Sequence, residues 1–307
     1  MVVESRKRFL YTIHGGSGNE VGAFAIDPAS GKLSPLNRQP SHGDNPVFPA
    51  VDAESRWLVV ANYLGGTIAA YPLAADGRIG EATDVVTHAG PCGPNPDRQD
   101  RPHPHQITWD VASRFLFVPD LGQDRTYVYR LSDNGKFIAN DPPFVASPPG
   151  SGPRHIAFHP NGRWAYLVHE MGSLMTAFAY DGERGVLEPA QKISTLPTDF
   201  TGVSTAAEVA VSPDGRFVFG SNRGHDSIVT YAVDANDETL TPVAWAPTQG
   251  RTPRHFALDP TGQFLYAENQ DSDTVVTLRI EPTSGQLTPT GQVLDTGSPS
   301  CIAFLDA

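Results

Sequence analysis

The sequence has few of the features that mark secreted or membrane-bound proteins. Its 307 residues include only two cysteines, Cys92 and Cys301, which predicts two unpaired thiols in a reducing compartment rather than a disulfide framework. We find no apolar stretch long enough for a signal peptide or a membrane span. These absences predict a cytoplasmic protein with no membrane partner.

Positive charge is also scarce. Lys and Arg total 22 against 34 Asp and Glu, and the resulting formal charge of −12 argues against nucleic acid as a partner. The chain has no P-loop, no GxGxxG segment after a strand and no GxSxG motif, and its histidines show no metal-ligand spacing. We therefore expect no cofactor and no metal, while the oligomeric state stays open.

Glycine and proline are abundant, with 29 and 28 residues, and they are spread between short apolar runs. This distribution is typical of an all-β chain with many turns. Five segments repeat one pattern: an apolar run, a turn, an aromatic residue that opens a second apolar run, and a third alternating run. The repeat length of about 50 residues indicates a propeller or a solenoid. The turn aromatics are Trp57, Phe115, Trp164, Phe217 and Phe264.

Each repeat ends in a fourth short run, so one repeat supplies the four antiparallel strands of a β-propeller blade. The N-terminal segment from Arg8 supplies strands two to four of a blade, and the C-terminal segment SPSCIAFLDA supplies a first strand. Together they complete one blade and close the ring without an exposed edge. We therefore predict a single all-β propeller domain over residues 1–307, with six blades and a long loop at residues 80–102 as a flap.

Polar residues recur at one end of these blades. The first strand of a blade lines the central channel and runs antiparallel to the second, so residues before strand one and after strand two meet at one mouth. Groups at these positions are His103, His105 and Asp120; Arg154, His155 and Glu170; Glu208, Asn222 and Arg223; Arg254, His255 and Asn269; and Asn62 and His14.

Two interpretations of these groups are open. Arg154 and Glu170 could form a structural ion pair within one blade, and the histidines could hydrogen-bond neighbouring blades. The recurrence of such groups at one mouth favours a functional site instead. Arginines at the mouth of an acidic protein suit a small anionic ligand, because a guanidinium group matches a carboxylate or a phosphate.

The segments RPHPHQITWD, VPDLGQDRTYVY, GPRHIAFHPNGRWAYLVHE and SNRGHDSIVTYAVD resemble the lactonase family of β-propellers. That family contains the propeller-type 6-phosphogluconolactonases and, more distantly, the fungal carboxy-muconate cyclases. The resemblance covers essentially the whole chain, although family members typically have seven blades and the usual first blade has no counterpart here. It implies His105, Arg154, Glu170 and Arg223 as catalytic residues.

The resemblance and the arginines together predict hydrolysis of a sugar lactone, with 6-phosphogluconolactone as the first candidate. His105 would activate water, Arg154 and Arg223 would bind the anion or the oxyanion, and Glu170 would orient an arginine or His105. Two alternatives remain open: a cycloisomerase or lactonase acting on a muconate-type or other non-phosphorylated lactone, and a non-enzymatic binding platform. The predicted substrate-binding residues are His103, Asp120, His155, Asn222, Arg254, His255 and Asn269.

Overall fold

The computed structural model describes residues 1–16 and 18–305. Its strands form six four-stranded sheets, and in each sheet the strands are neighbours in chain order. The described part of the chain also has a short 3-10 helix at Gln270–Ser272, and it contains no helix that is both long and apolar enough to cross a membrane. The chain divides into two compact units.

The first unit comprises mainly Met1–Pro153 and contains three of the sheets. Tyr11, Val60 and Tyr71 pack in the core between its first two sheets. The strands are β1 (Val2–Val3), β2 (Phe9–His14), β3 (Glu20–Ile26) and β4 (Leu33–Pro40); β5 (Pro46–Val51), β6 (Trp57–Asn62), β7 (Thr67–Pro72) and β8 (Asp84–Thr87); and β9 (Thr108–Trp109), β10 (Leu116–Asp120), β11 (Arg125–Leu131) and β12 (Phe137–Ala146).

The second unit comprises Arg154–Asp181 and Val186–Phe304, and it contains the other three sheets. Tyr166, Val218 and Tyr231 belong to one of its core clusters. The strands are β13 (Pro153–Phe158), β14 (Trp164–His169), β15 (Leu174–Asp181) and β16 (Val186–Ser194); β17 (Thr205–Val211), β18 (Phe217–Arg223), β19 (Ser227–Val233) and β20 (Leu240–Pro247); and β21 (Pro253–Leu258), β22 (Phe264–Asn269), β23 (Thr274–Ile280) and β24 (Leu287–Asp295).

The second strand is mostly buried in five of the six sheets, with β2 as the exception, whereas the fourth strand is largely exposed. In β6 every residue after Trp57 is buried, but β4 has no fully buried residue. A strand that is covered on both faces reads as a continuous apolar run, and this explains segments such as WLVVAN and LFVPD. The repeated apolar runs of the sequence therefore mark the middle of each sheet.

Trp57 and Phe217, two of the aromatic residues that reveal the repeat, each pack against a glycine in the following sheet. Gly135 has a φ of 73°, and a Cβ at this position would collide with the Trp57 ring. Gly285 has a φ of 70° and lies in the same way against Phe217. Only glycine adopts such a φ without strain and leaves room for the ring, so the aromatic and the glycine recur together.

The predicted fold class, a β-propeller with six four-stranded blades, is confirmed by these sheets. The structure differs in the first sheet, where β1 supplies the first strand by pairing Val2 with Tyr11 and Val3 with Leu10. The sequence predicts this strand in the C-terminal segment, but residues 296–305 form no strand, and Asp306 and Ala307 lie outside the described residues. Two apolar residues before a charged turn are too short to be recognised as a strand from sequence.

The segment predicted as a structureless loop, residues 80–102, contains β8. Its later part lies against the turn between β10 and β11. Gly93 N donates to Gly122 O at 2.9 Å, and Gln99 Nε2 donates to Leu121 O at 2.9 Å. One backbone bond and one side-chain bond therefore anchor this segment to the turn. The assignment of the whole chain to a single domain stays a prediction.

Candidate active site

A buried group of charged side chains lies in the second unit where strands begin or end. Arg154 is in β13, Glu170 directly follows β14, and Arg223 ends β18. The Arg154 Nε donates to Glu170 Oε2 at 3.1 Å, and Arg223 Nη2 lies 3.0 Å from the same oxygen. We call these three residues the arginine site. The Arg223 side chain is 12% exposed, against 3% for Arg154, so Arg223 is the more accessible cation.

Both arginines also donate to the backbone of β17. Arg154 Nη1 donates to Ala207 O at 2.6 Å, and Arg223 Nη2 donates to Ala206 O at 2.9 Å. These two carbonyl groups lie where the pairing of β17 with β18 shifts in register. Each guanidinium group is therefore held by one carboxylate and one carbonyl oxygen, which restricts its orientation.

Glu208 lies between two histidines beside the arginine site. His155 Nδ1 is 3.0 Å from both Glu208 oxygens, and His255 Nε2 is 3.4 Å from Glu208 Oε2. On its other side, His255 Nδ1 is 2.7 Å from Glu268 Oε1. Both ring nitrogens of His255 thus face carboxylates, an arrangement that suits an imidazolium, which donates from both nitrogens.

The surroundings shift the pKa values of these groups in different directions. Burial lowers the pKa of Arg154 to about 9, and nearby Arg223 adds to this effect, so Arg154 remains a cation at neutral pH. Burial also lowers the pKa of His155 to about 4, against the pull of Glu208, so His155 is neutral there.

For Glu208 and His255, the charged neighbours together outweigh the effect of burial on the pKa. Burial raises the pKa of Glu208, but His155 and His255 outweigh it and lower the pKa to about 2. Burial lowers the pKa of His255, but Glu208 and Glu268 outweigh it, so the pKa lies above the usual histidine value. Glu208 is consequently an anion and His255 favours its cationic form.

The first unit has a buried polar cluster of its own, at the end of β10. Asp120 Oδ1 accepts hydrogen bonds from His103 N at 2.8 Å and Gln123 N at 3.1 Å. Its Oδ2 lies 2.7 Å from His88 Nδ1, and the side chains of both residues have no exposed surface. We call His88, His103 and Asp120 the Asp120 cluster. Asp120, predicted to bind substrate, thus has a fully buried side chain that contacts His88, His103 and Gln123.

Two predicted histidines of the first unit lie beside Tyr63. The His103 ring stacks on Tyr63 with 4.4 Å between centroids, and its two nitrogens lie 2.9 Å from Tyr63 O and from Asp100 Oδ1. The His105 ring meets the edge of Tyr63 at 5.2 Å, and His105 N donates to Pro119 O at 2.9 Å. The structure therefore brings His103, His105 and Asp120 together within the first unit.

The predicted asparagines connect segments of the chain. Asn222 Nδ2 donates to Thr195 O at 2.8 Å, and Asn269 Nδ2 donates to Thr248 O at 3.1 Å. Asn62, which we did not predict to bind substrate, makes the equivalent bond to Ser41 O at 2.9 Å. Asn62 and Asn269 are the last residues of the second strand of a sheet and Asn222 is the last but one, and each binds the connection that enters the same sheet. Their shared bonds indicate a structural role for each.

The remaining predicted residue, Arg254, lies close enough to Arg154 to contribute to lowering its pKa. Sequence reasoning missed the parts played by Glu208, Glu268 and His88. A signal was present for the two glutamates, because each interrupts an apolar strand, in TAAEVAV and FLYAEN. In the described ranges, no three His, Cys, Asp or Glu side chains form a group that could hold a metal ion.

Comparison with known proteins agrees with this architecture. The family model described as "Lactonase, 7-bladed beta-propeller" matches residues 1–304. The chain therefore belongs to the lactonase family of β-propellers, a family of lactone-hydrolysing enzymes, and it has six blades in its described residues.

Several relatives match most of the chain. The 6-phosphogluconolactonase of Bacillus subtilis (strain 168) is 36% identical over 248 residues, which are 80% of this chain and 70% of that protein. The 6-phosphogluconolactonase of Klebsiella pneumoniae (strain 342) is 33% identical over 258 residues, 83% of this chain and 72% of that protein. Among solved structures, the periplasmic gluconolactonase PpgL of Pseudomonas aeruginosa has a TM-score of 0.92 at 33% identity, covering 99% of this chain and 87% of that one.

Proposed function

We propose that the protein hydrolyses a sugar lactone that carries an anionic group, with 6-phosphogluconolactone as the first candidate. The arginine site carries this proposal, because one Glu170 oxygen binds both Arg154 and Arg223. Two guanidinium groups on one carboxylate leave one positive charge in excess, which suits a phosphate or a carboxylate. The relatives from B. subtilis and K. pneumoniae, both named 6-phosphogluconolactonase, support this substrate class.

Lactone hydrolysis requires an activated water and stabilisation of the oxyanion that forms when water attacks the carbonyl carbon. The ring oxygen then leaves, takes up a proton and becomes a hydroxyl group, and the carbonyl becomes a carboxylic acid. We assign Arg223, the more exposed arginine, to direct contact with the anionic group or the oxyanion. Arg154 reinforces the positive potential, and Glu170 holds both guanidinium groups in place.

His105 remains our proposed general base. Within the second unit, His155 has a pKa of about 4 and is a weak base at neutral pH. His255 has both ring nitrogens against carboxylates, and as an imidazolium it has no lone pair with which to accept a proton. These two observations favour a base outside that pair, and the family resemblance identifies His105.

Purified protein and the His105→Ala variant, assayed on 6-phosphogluconolactone, test this assignment. We expect kcat to fall by about 10²- to 10⁴-fold, the range for loss of a general base, together with a lower thermal midpoint, because the His105 ring is buried against Tyr63. His42→Asn is the matched control, since His42 is exposed and asparagine tolerates its φ of 58°. Unchanged turnover in His105→Ala would remove His105 from the mechanism.

A panel of substrates separates the candidate reactions. A requirement for the phosphate group supports the phosphorylated lactone, whereas equal rates on gluconolactone would identify a lactonase without this requirement. Ring closure of a muconate-type diacid would identify a cycloisomerase. Tight binding of a protein partner without turnover of any lactone would support the binding platform.

A further inference from the structure

Strand β17, whose carbonyl groups accept hydrogen bonds from both arginines of the arginine site, contains a β-bulge. In the pairing of β17 with β18, Ala206 lies opposite Asn222, and the next partners are Val209 and Gly220. Three steps along β17 thus correspond to two steps along β18, so β17 carries one extra residue. Bulges of this kind redirect side chains and are frequent beside active sites.

The polar groups of this bulge are satisfied by two buried side chains. Glu208 N donates to Ser221 Oγ at 3.0 Å, and Val209 N donates to Glu208 Oε1 at 3.0 Å. Glu208 therefore binds the backbone of its own bulge through its carboxylate. Since an unpaired buried N–H is costly, these two bonds stabilise the bulge in this conformation.

The same bulge presents the acceptors for the arginine site. Ala206 O accepts from Arg223 Nη2, and Ala207 O accepts from Arg154 Nη1, so consecutive carbonyl groups bind the two guanidinium groups. Without the extra residue, β17 would continue its regular ladder, and the carbonyl groups would not point as they do. The direction of both guanidinium groups thus depends on the conformation of residues 206–209.

We propose that Glu208 is a positioning residue of the arginine site: its carboxylate locks the β17 bulge, and the bulge aims Arg154 and Arg223 at the substrate anion. This inference rests on the proposed function, which assigns the anion to those arginines. Glu208 keeps its charge because His155 and His255 lie against it from β13 and β21.

The test compares Glu208→Ala with Glu208→Gln. Alanine removes the acceptor for Val209 N, whereas glutamine retains a side-chain oxygen that can accept this bond. We expect Glu208→Ala to raise the KM for 6-phosphogluconolactone by about tenfold and the KM for uncharged gluconolactone by less than about twofold. Glutamine should recover most of the tenfold change.

A matched control separates positioning from general destabilisation. Glu4 is also buried, and it accepts backbone bonds from Arg6 N and Arg8 N in the first unit. Glu4→Ala should lower the thermal midpoint without changing the ratio of the two KM values. The proposal would be overturned if Glu208→Ala raised the KM for both lactones by the same factor. It would also be overturned if Glu208→Gln raised the KM for 6-phosphogluconolactone as much as Glu208→Ala does.

Two further measurements keep the inference separate from the proposed function. Ser221→Ala removes the acceptor for Glu208 N, so it should also raise the KM for 6-phosphogluconolactone. This variant replaces Glu208→Ala in the test if Glu208→Ala does not fold. Calorimetric binding of inorganic phosphate to wild type and variants needs no turnover. If wild type hydrolyses neither lactone, the proposed function fails. If phosphate binding is equal in wild type and Glu208→Ala, the inference fails.

Discussion

The Asp120 cluster and the arginine site place a carboxylate at nearly the same point of a blade and surround it differently. Asp120 ends β10 and binds two backbone N–H groups and a histidine, with no side-chain surface exposed. Glu170 follows β14 and binds two guanidinium groups, of which Arg223 is partly exposed. The two carboxylates therefore differ in the charge that their partners leave accessible: none is exposed around Asp120, whereas Arg223 keeps exposed surface beside Glu170, the site to which we propose that substrate binds.

The largest effect is expected for Arg154→Ala. The substitution leaves Glu170 with one cationic partner and empties a buried position, so stability should fall by about 3–5 kcal/mol. Turnover of the anionic lactone should fall by about 100-fold or more. Thermal unfolding and steady-state kinetics measure both quantities. Arg163→Ala is the control, because Arg163 is exposed in the turn of the same sheet.

If Arg154→Ala were as active and stable as wild type, the arginine site would be no different from an exposed ion pair. The contrast with the Asp120 cluster would then be lost.

Asp120→Ala should affect stability more than substrate binding. It removes charge-assisted hydrogen bonds to His103 N and Gln123 N and the contact with His88, at a cost of about 3 kcal/mol. We expect the KM for 6-phosphogluconolactone to change by less than about threefold. Denaturant titration and kinetics provide the measurement, with exposed Asp97→Ala as the control on the neighbouring segment.

A large KM increase in Asp120→Ala without a loss of stability would contradict this division. Asp120 would then belong with the substrate-binding residues, as first predicted from the sequence.

Acidic pH should lower the free energy of unfolding of the second unit, because its buried histidines His155 and His169 are neutral in the folded protein. Burial lowers the pKa of His155 to about 4 and that of His169 to about 3. Below about pH 6.5 the unfolded chain takes up protons at these residues and the folded chain does not, so stability falls with pH. At pH 5 each histidine should cost about 2 kcal/mol. Denaturant titrations from pH 7 to pH 5 should give a smaller decrease for His169→Gln than for wild type.

His255 should change the pH dependence of stability in the opposite direction, because its pKa is raised in the folded protein. Its contribution to stability is fully present below the unfolded pKa of about 6.5 and is lost as the pH rises through the folded pKa. In wild type, stability should therefore decrease as the pH rises above about 6.5 and through the folded pKa of His255. This decrease should be absent in His255→Gln. An unchanged profile would show that the two carboxylates do not hold a proton on this ring.

The smallest effect concerns the asparagines. Asn62→Ala and Asn222→Ala each remove a bond to a backbone carbonyl, and each should lower stability by about 1 kcal/mol. We expect similar thermal shifts in the two variants. An increase in KM confined to Asn222→Ala would restore the substrate contact predicted for Asn222, whereas equal KM values would support a shared structural role.

Much of the fold could be predicted because its evidence is local. Five of the blades contain their own apolar runs, turn and aromatic residue, and these recur about every 50 residues along the chain. The strand β1 was missed because two apolar residues carry too little pattern. β8 was missed because DVVT lies among glycine and proline residues that indicate a loop.

The sequence by itself determined the blades and the strand ends at which Arg154, Glu170 and Arg223 lie, because strand direction follows from short-range pattern. Only the tertiary structure decided that one Glu170 oxygen serves both arginines and that Asp120 is sealed from solvent. It also decided that β17 carries a bulge and that Glu208 accepts a hydrogen bond from Val209 N within it. The contacts of Arg223 with Glu170 and of His88 with Asp120 join different sheets, so they depend on packing between sheets. The bulge depends on a register shift in β17 that no local pattern encodes.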